Sequence, residues 1–256
     1  MKRPTGSAGQ PKAKKQKANV STAVQSPSPQ TSILWPALSP VPSSGLELQQ
    51  LAAPGLALVP NILNARDCAQ IISLFSNPTV PVLQPPCPPG KDEAARTNWR
   101  WSGTDPAFAN LLWRRFTSDS DGESILRQLD GPVGTTARAM NQNIRVYRYE
   151  KGQSFGKHYD DSVFVGGLRS EWTLLIYLTG VEDGVQGGET IFYPEARVLS
   201  KRDAAGKTAT TVVPIAPVRG TALLHRHGRE CALHEGAEVL KGIKWVLRSD
   251  VLFGKV

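Results

Sequence analysis

Apolar residues recur along this chain with two different periods. From Ala65 to Ser76 (ARDCAQIISLFS), Cys68, Ile71, Ile72 and Phe75 fall on one stripe at helical spacing, and Asn64 is placed to cap the first turn. Pro106 to Phe116 predicts a second helix, with Asp105 as cap and Pro106 as its first residue. Ser124 to Leu129 has the length of a short third one. Between the first two, Pro78 to Pro89 is too rich in proline for a central strand or a helix. After Met140 the period falls to two. Asn143 to Tyr149 (NIRVYRY) puts Ile144 and Val146 on one face and Arg145, Tyr147 and Tyr149 on the other. Trp172 to Leu178 (WTLLIYL) is a dense strand signal. Thr210 to Ile215, Thr221 to Leu224 and Ile243 to Leu247 are further strands, separated by Gly, Pro and charged turns. Helices first, then many short strands without long helices between them, predict a mainly β fold with flanking helices. Its body would be an antiparallel barrel or sandwich with the helices packed outside one sheet.

The first stretch obeys neither period. Residues 1–46 are rich in Pro, Ser, Gln, Lys and Ala, and no Asp or Glu occurs before Glu47. Few large apolar groups are present there to offset the entropy of ordering, so the expected organisation is a disordered basic tail, 1–46, ahead of one domain, 47–256. Within the domain, helical support is expected over 60–135 and the β core over 140–256. Of the formal net charge of +8, the six charges of Lys2, Arg3, Lys12, Lys14, Lys15 and Lys17 belong to the tail, which leaves about +2 for the rest. Lys2-Arg3 and Lys14-Lys15-Gln16-Lys17 resemble a nuclear import signal, and equally a solubilising or RNA-binding arm. No apolar core of a secretory signal follows the basic start, and no apolar run reaches the roughly 20 residues that span a bilayer. Cys68, Cys87 and Cys231 form no repeating pattern, which suits a reducing compartment. A nuclear or cytoplasmic rather than secreted location, without membrane, is the resulting expectation.

The candidate chemistry lies in the second half. His158 and Asp160 are two apart, and on a strand both side chains share a face, about 6–7 Å apart along the chain. With His234 arriving from a distant strand, they form the two-imidazole, one-carboxylate set of a non-haem iron(II) centre that keeps open positions for a co-substrate and dioxygen. Cys231 precedes His234 by an odd offset, which on a strand points it away, and it reads as a small buried hydrophobe. Lys244 offers the cation that the far carboxylate of an iron-chelating dicarboxylate requires, and Arg248, on the same strand face, competes for that role. Tyr149 and Thr190 are further polar contacts for the same molecule. His225 and His227 would share a strand face, but His225-Arg226-His227-Gly228-Arg229 reads more simply as a polar turn. Arg96 to Trp101 (RTNWRW) is either a substrate-gripping loop or a pair of Trp rings closing the helices over the sheet.

In order, Tyr149-x-x-Gly152-Gln153, His158-x-Asp160, Trp172 to Leu178, Gly187-Gly188-Glu189-Thr190-x-Phe192, Gly220-x-Ala222-Leu223-Leu224, His234-Glu235-Gly236 and Lys244 resemble the catalytic domain of the prolyl 4-hydroxylase-like iron(II)/2-oxoglutarate dioxygenases. The resemblance runs from about Asn143 to Phe253. It implies a double-stranded β-helix, or jelly roll, with His158, Asp160 and His234 as iron ligands. Lys244 would hold the distal carboxylate of 2-oxoglutarate, with Tyr149 nearby. It implies consumption of 2-oxoglutarate and O₂, release of succinate and CO₂, and hydroxylation of a C–H bond, with ascorbate (vitamin C) as an accessory reductant.

The substrate expected first is a protein or peptide side chain, prolyl in particular. The same chemistry on a nucleic acid or a small metabolite is the alternative. A catalytically inactive jelly-roll binding module is the reading from another class, opposed by an intact ligand set. Oligomeric state is not indicated.

Overall fold

The computed structural model describes residues 33–40, 45–76, 82–90, 94–117, 123–194 and 211–256. Both basic clusters of the front segment lie outside the described residues. The chain runs through β1 (Gln49–Gln50), β2 (Leu56–Val59), α1 (Ala65–Ser76), β3 (Trp99–Thr104), α2 (Pro106–Arg115), β4 (Thr135–Met140), β5 (Asn143–Tyr149), β6 (Phe155–His158), β7 (Phe164–Val165) and β8 (Leu168–Tyr177). It continues through β9 (Gln186–Gly187), β10 (Thr190–Tyr193), β11 (Val213–Ile215), β12 (Ala222–Arg226), β13 (Leu233–Gly236), β14 (Val239–Lys241) and β15 (Lys244–Lys255). The expected third helix is a single 3₁₀ turn, Ile125–Gln128, capped by Ser124.

The large antiparallel sheet has the order β1-β2-β12-β8-β15-β5-β3, with β4 added to β15 and β7 to β8. A smaller sheet, β11-β10-β13-β6, faces it across the site, and β14 pairs with β9. This is an antiparallel, jelly-roll-like architecture with flanking helices; the alternation predicted the antiparallel body, and the resemblance implied the jelly roll.

Residue parity divides the interior in two. Ile144, Val146, Trp172, Leu174, Ile176, Ala222, Leu224, Trp245 and Leu247 belong to one buried cluster with Cys68, Ile71 and Phe75 of α1 and Phe108 and Leu112 of α2. The intervening residues Tyr147, Tyr149, Tyr177, Leu223 and Val246 belong to a second cluster, which reaches Phe192 of the small sheet. Register holds this partition, because β15 sets Lys244 opposite Tyr149, Val246 opposite Tyr147 and Arg248 opposite Arg145.

Both helices start as the sequence predicts. The Asn64 side chain accepts from the Asp67 amide at 2.9 Å, and Asp105 accepts from the Phe108 amide at 2.9 Å ahead of Pro106.

The front segment meets the domain earlier than position 46. Trp35 stacks on Phe108 with centroids 3.7 Å apart and donates its indole N–H to Asp105 at 2.9 Å. The Ser39 amide and hydroxyl both donate to the buried Asp67 carboxylate, at 2.9 and 2.7 Å. Average composition hid the few groups that matter here, since Ile33, Trp35 and Leu38 suffice to cover the helices.

Candidate metal centre

His158 is the last residue of β6, and Asp160 follows just beyond the strand end. The second histidine comes from a strand distant in sequence but adjacent in space: β13 pairs with β6 so that His234 lies directly opposite His158. One ligand atom from each of His158, Asp160 and His234 can be chosen so that all lie within 4.8 Å of one another. His158 Nε2 is 3.7 Å from Asp160 Oδ1, and His234 Nε2 is 3.8 Å from Asp160 Oδ2.

The backs of both rings are held. His158 Nδ1 lies 2.8 Å from the Gly156 carbonyl and His234 Nδ1 lies 3.0 Å from the Ala232 carbonyl. A ring N–H pinned to a carbonyl leaves the Nε2 lone pair facing Asp160, the arrangement that a metal-binding imidazole needs. Burial lowers the pKa of His158 to about 4 and that of His234 as well, so both rings are neutral donors. Burial alone would raise the Asp160 pKa, but the Arg248 guanidinium outweighs it and holds the carboxylate ionised, well below its usual range. Neutral nitrogens with one carboxylate, clustered on one side of a chamber, fit a facial triad for iron(II).

Around Asp160 lies a shell that the sequence reading did not assemble. Arg248 Nη2 is 2.9 Å from Asp160 Oδ2, and the Thr173 hydroxyl donates to the same oxygen at 2.8 Å. Thr173 Oγ1 is 3.0 Å from His227 Nδ1, and His227 Nε2 is 2.9 Å from Ser170 Oγ.

His225 and His227 are therefore not a polar turn. His225 lies within β12, both are buried, and His225 Nε2 sits 3.7 Å from Asp160 Oδ2 without a hydrogen-bond partner among the described residues. The usable signal was parity, because His225 shares the inward face of Leu223.

Cys231 also departs from expectation. It precedes β13 and closes a 3₁₀ turn, so strand alternation does not govern it. Its Sγ lies 3.9 Å from His234 Nδ1 and accepts from the Asp160 amide at 3.2 Å. His225, Cys231 and His234 form a second group whose ligand atoms lie within 4.8 Å of one another. Cys231 stands on the Nδ1 side of His234, behind the ring, where it braces two members of the triad.

Lys244 and Arg248, alike in spacing, part company in space. Lys244 is buried beside the rings of Tyr149 and Tyr177, with Nζ 5.3 and 5.5 Å from their centroids, and donates to the Gly188 carbonyl at 2.6 Å. Burial lowers its pKa to about 8 against a small opposing effect of Glu189. Thr190 Oγ1 and the Tyr177 hydroxyl are 2.8 Å apart. Tyr149, Thr190, Lys244, His234 and Arg248 thus line one inner chamber. Tyr177 stood unnoticed within the strand motif, at the parity of Thr173.

The segment from Arg96 to Trp101 divides by face. Trp101 packs against Trp35 and Phe75, whereas Arg96 and Arg100 line a cleft outside the triad.

A model of the 2OG-Fe(II) oxygenase superfamily matches residues 144–249, which hold all three triad residues and Lys244. Over these residues the chain is similar to the 2OG-Fe(II) oxygenase superfamily. An Arabidopsis thaliana protein named probable prolyl 4-hydroxylase 4 is 36% identical over 120 residues, covering 41% of this chain and 39% of its own length. Probable prolyl 4-hydroxylase 3 of the same plant is 34% identical over 122 residues, covering 41% and 40%. The chain thus matches about two fifths of the length of these curated relatives. Among solved structures, a Pseudomonas putida prolyl-4-hydroxylase is similar with TM-score 0.48 and 14% identity over 77% of this chain and 91% of that one. The viral collagen prolyl hydroxylase of Paramecium Bursaria Chlorella virus-1 gives 0.44 and 16%, over 77% and 95%. Likeness of this degree identifies no substrate. No helix among the described residues is long and apolar enough to cross a membrane.

Proposed function

We propose that this chain is a member of the 2OG-Fe(II) oxygenase superfamily, an iron(II)- and 2-oxoglutarate-dependent dioxygenase that hydroxylates a C–H bond of a protein substrate, with a prolyl residue as the first candidate. The observation that carries this reading is the convergence of His158, Asp160 and His234 beside a chamber that ends in the buried amine of Lys244. In it, His158, Asp160 and His234 hold the ion, and Lys244 pairs with the far carboxylate of 2-oxoglutarate. Tyr149 and Thr190 provide hydroxyls along the way. When bound, iron supplies the activation of dioxygen, with succinate and CO₂ released.

The remaining work falls to this chain's own groups. Arg248 and Thr173 hold Asp160 in one orientation, and the Gly156 and Ala232 carbonyls fix the imidazole tautomers. Leu175 and Val246 give the chamber an apolar wall that keeps bulk water out, and Val246 belongs to one buried cluster with Phe192 and Leu223. The prolyl assignment draws support from the names of the Arabidopsis relatives. Nuclear or cytoplasmic residence is proposed from the basic clusters and checked by replacing Lys14, Lys15 and Lys17 with alanine in a fluorescent fusion.

The test is turnover of candidate peptides by the full chain with iron(II), 2-oxoglutarate and ¹⁸O₂, with and without ascorbate, read by succinate release and by mass. Incorporation of label into prolyl peptides is expected, together with its loss in His158→Ala and Asp160→Ala. Label found only in nucleic acid or a small metabolite replaces the prolyl reading. The absence of any iron-dependent succinate removes the enzymatic one.

A further inference from the structure

A cleft of about 710 Å³ opens over the triad, and its lining is cationic: Arg96, Arg100, Arg145, Lys157 and Arg248 stand there against Asp160 and Asp161. Asp160 is already committed to the metal site and to Arg248. Asp250 is shared, 3.8 Å from Arg145 and 3.7 Å from Arg248. Neither Arg96 nor Arg100 has an ion pair among the described residues; Arg96 instead lies over the Phe155 ring, 5.2 Å from its centroid. The Nε atoms of Arg100 and Arg248 are buried without hydrogen-bond partners among the described residues. Outside the front segment the chain carries a net charge of only about +2, so this is a local concentration and not a generally basic surface. Like charges gathered around a half-buried cleft repel one another unless an anion enters. Burial lowers the Arg100 pKa; Tyr147 opposes this, while Arg96, Arg145 and Arg248 each lower it further.

We propose that the cleft takes a peptide whose anionic side chain, carboxylate or phosphate, lies beside the residue to be oxidised and is gripped by Arg96, Arg100 and Arg145. This deepens the reading of the chain as a protein-directed oxygenase and rests on it. A peptide fits the shape better than a nucleic acid does. The floor at Tyr147 and Asp160 is buried while the rim at Lys157, Tyr159 and Asp161 is exposed. An extended chain can therefore cross the rim while one residue descends to the triad. Nucleic acid would need aromatic faces to stack on. Phe155, a lining ring, is already stacked on His158 at 3.8 Å and covered by Arg96, and Tyr147 is buried, so among the described residues Tyr159 is the one exposed aromatic of the lining, too little for a succession of bases. Guanidinium forks suit both carboxylate and phosphate.

The experiment uses the full chain loaded with manganese(II) and 2-oxoglutarate. Fluorescence anisotropy compares prolyl peptides of one length whose flanks are Asp/Glu, phosphoserine, Gln/Asn or Lys, with an oligouridylate and inorganic phosphate as further probes. The Asp/Glu or phosphoserine peptide is expected to bind at least ~10-fold tighter than the Gln/Asn peptide, with the gap narrowing as salt rises. Comparing the two anionic peptides identifies the anion. Arg100→Gln and Arg96→Gln should each shrink the gap severalfold, and Arg100→Lys should retain part of it. Equal binding of acidic and neutral peptides overturns the proposal, and so does preference for the Lys peptide or for the oligouridylate. Phosphate alone, competing as well as the phosphopeptide, overturns the peptide assignment. Equal hydroxylation of neutral and acidic prolyl peptides defeats this proposal and leaves the proposed function standing. Tight acidic binding without hydroxylation does the reverse.

Discussion

Asp160 is where the demands on single residues meet. It must remain a carboxylate inside a buried site, and Arg248 at 2.9 Å makes that tolerable. Arg248→Leu should therefore cost stability, about 3–5 kcal/mol by removing one partner of a buried pair, and urea unfolding with iron absent measures it. Lys244 is a different kind of cation, with Gly188 as its hydrogen-bond acceptor and no carboxylate within ion-pair distance among the described residues. Lys244→Ala should weaken 2-oxoglutarate roughly 10- to 100-fold, the worth of a charged hydrogen bond, and isothermal titration against metal-loaded protein reads it. The pH dependence follows from its depressed pKa of about 8. The amine is charged below that value and neutral above it, so 2-oxoglutarate affinity should fall as pH rises past 8, by at most about tenfold per unit. An affinity flat from pH 7 to 9.5 would transfer the role to another group. The clustering of His158, Asp160 and His234 was legible because their spacing is local or motif-like. The different placement of Lys244 and Arg248 was not, since both occupy one face of one strand and only the third dimension separates them.

At the level of elements, alternation was the dependable signal. The bounds of α1 and β5 emerge as the pattern predicts, and the inward face of β5 carries Arg145, Tyr147 and Tyr149 toward the chemistry. Strands β3 and β4 escaped notice, being rich in polar, small or glycine residues that carry little hydrophobic rhythm. The Gly187-Gly188 turn is an element whose conformation serves the chamber directly. Gly188 has φ +72°, and a Cβ there would come within 3.1 Å of Lys244 Cδ and of Val239 Cγ2. Gly188→Ala should cost about 1–2 kcal/mol of stability from left-handed backbone alone. It should also weaken 2-oxoglutarate binding, because the carbonyl that positions Lys244 shifts. Thermal melts with and without 2-oxoglutarate separate the two effects, and a variant that loses stability while gaining the normal ligand-induced rise in Tm contradicts the second.

For the molecule as a whole, the front segment matters more than its composition suggested. Trp35 and Ser39 clasp both helices, so the end of the domain is defined by contacts that a scan for low complexity passes over. Removing residues 1–32 should leave the unfolding midpoint near that of the full chain. Removing residues 1–45 should lower stability by roughly 3 kcal/mol or more, the scale of losing a packed Trp. Equal midpoints for the two truncations would show the clasp to be idle. The large sheet has a further consequence. Since neighbouring positions on β5, β8 and β15 serve opposite sides, a single strand can be rewritten for a new guest on one side while its mortar on the other is untouched. Diversification confined to Arg100 and Arg145 should then shift which molecules are accepted without loosening the helices behind them.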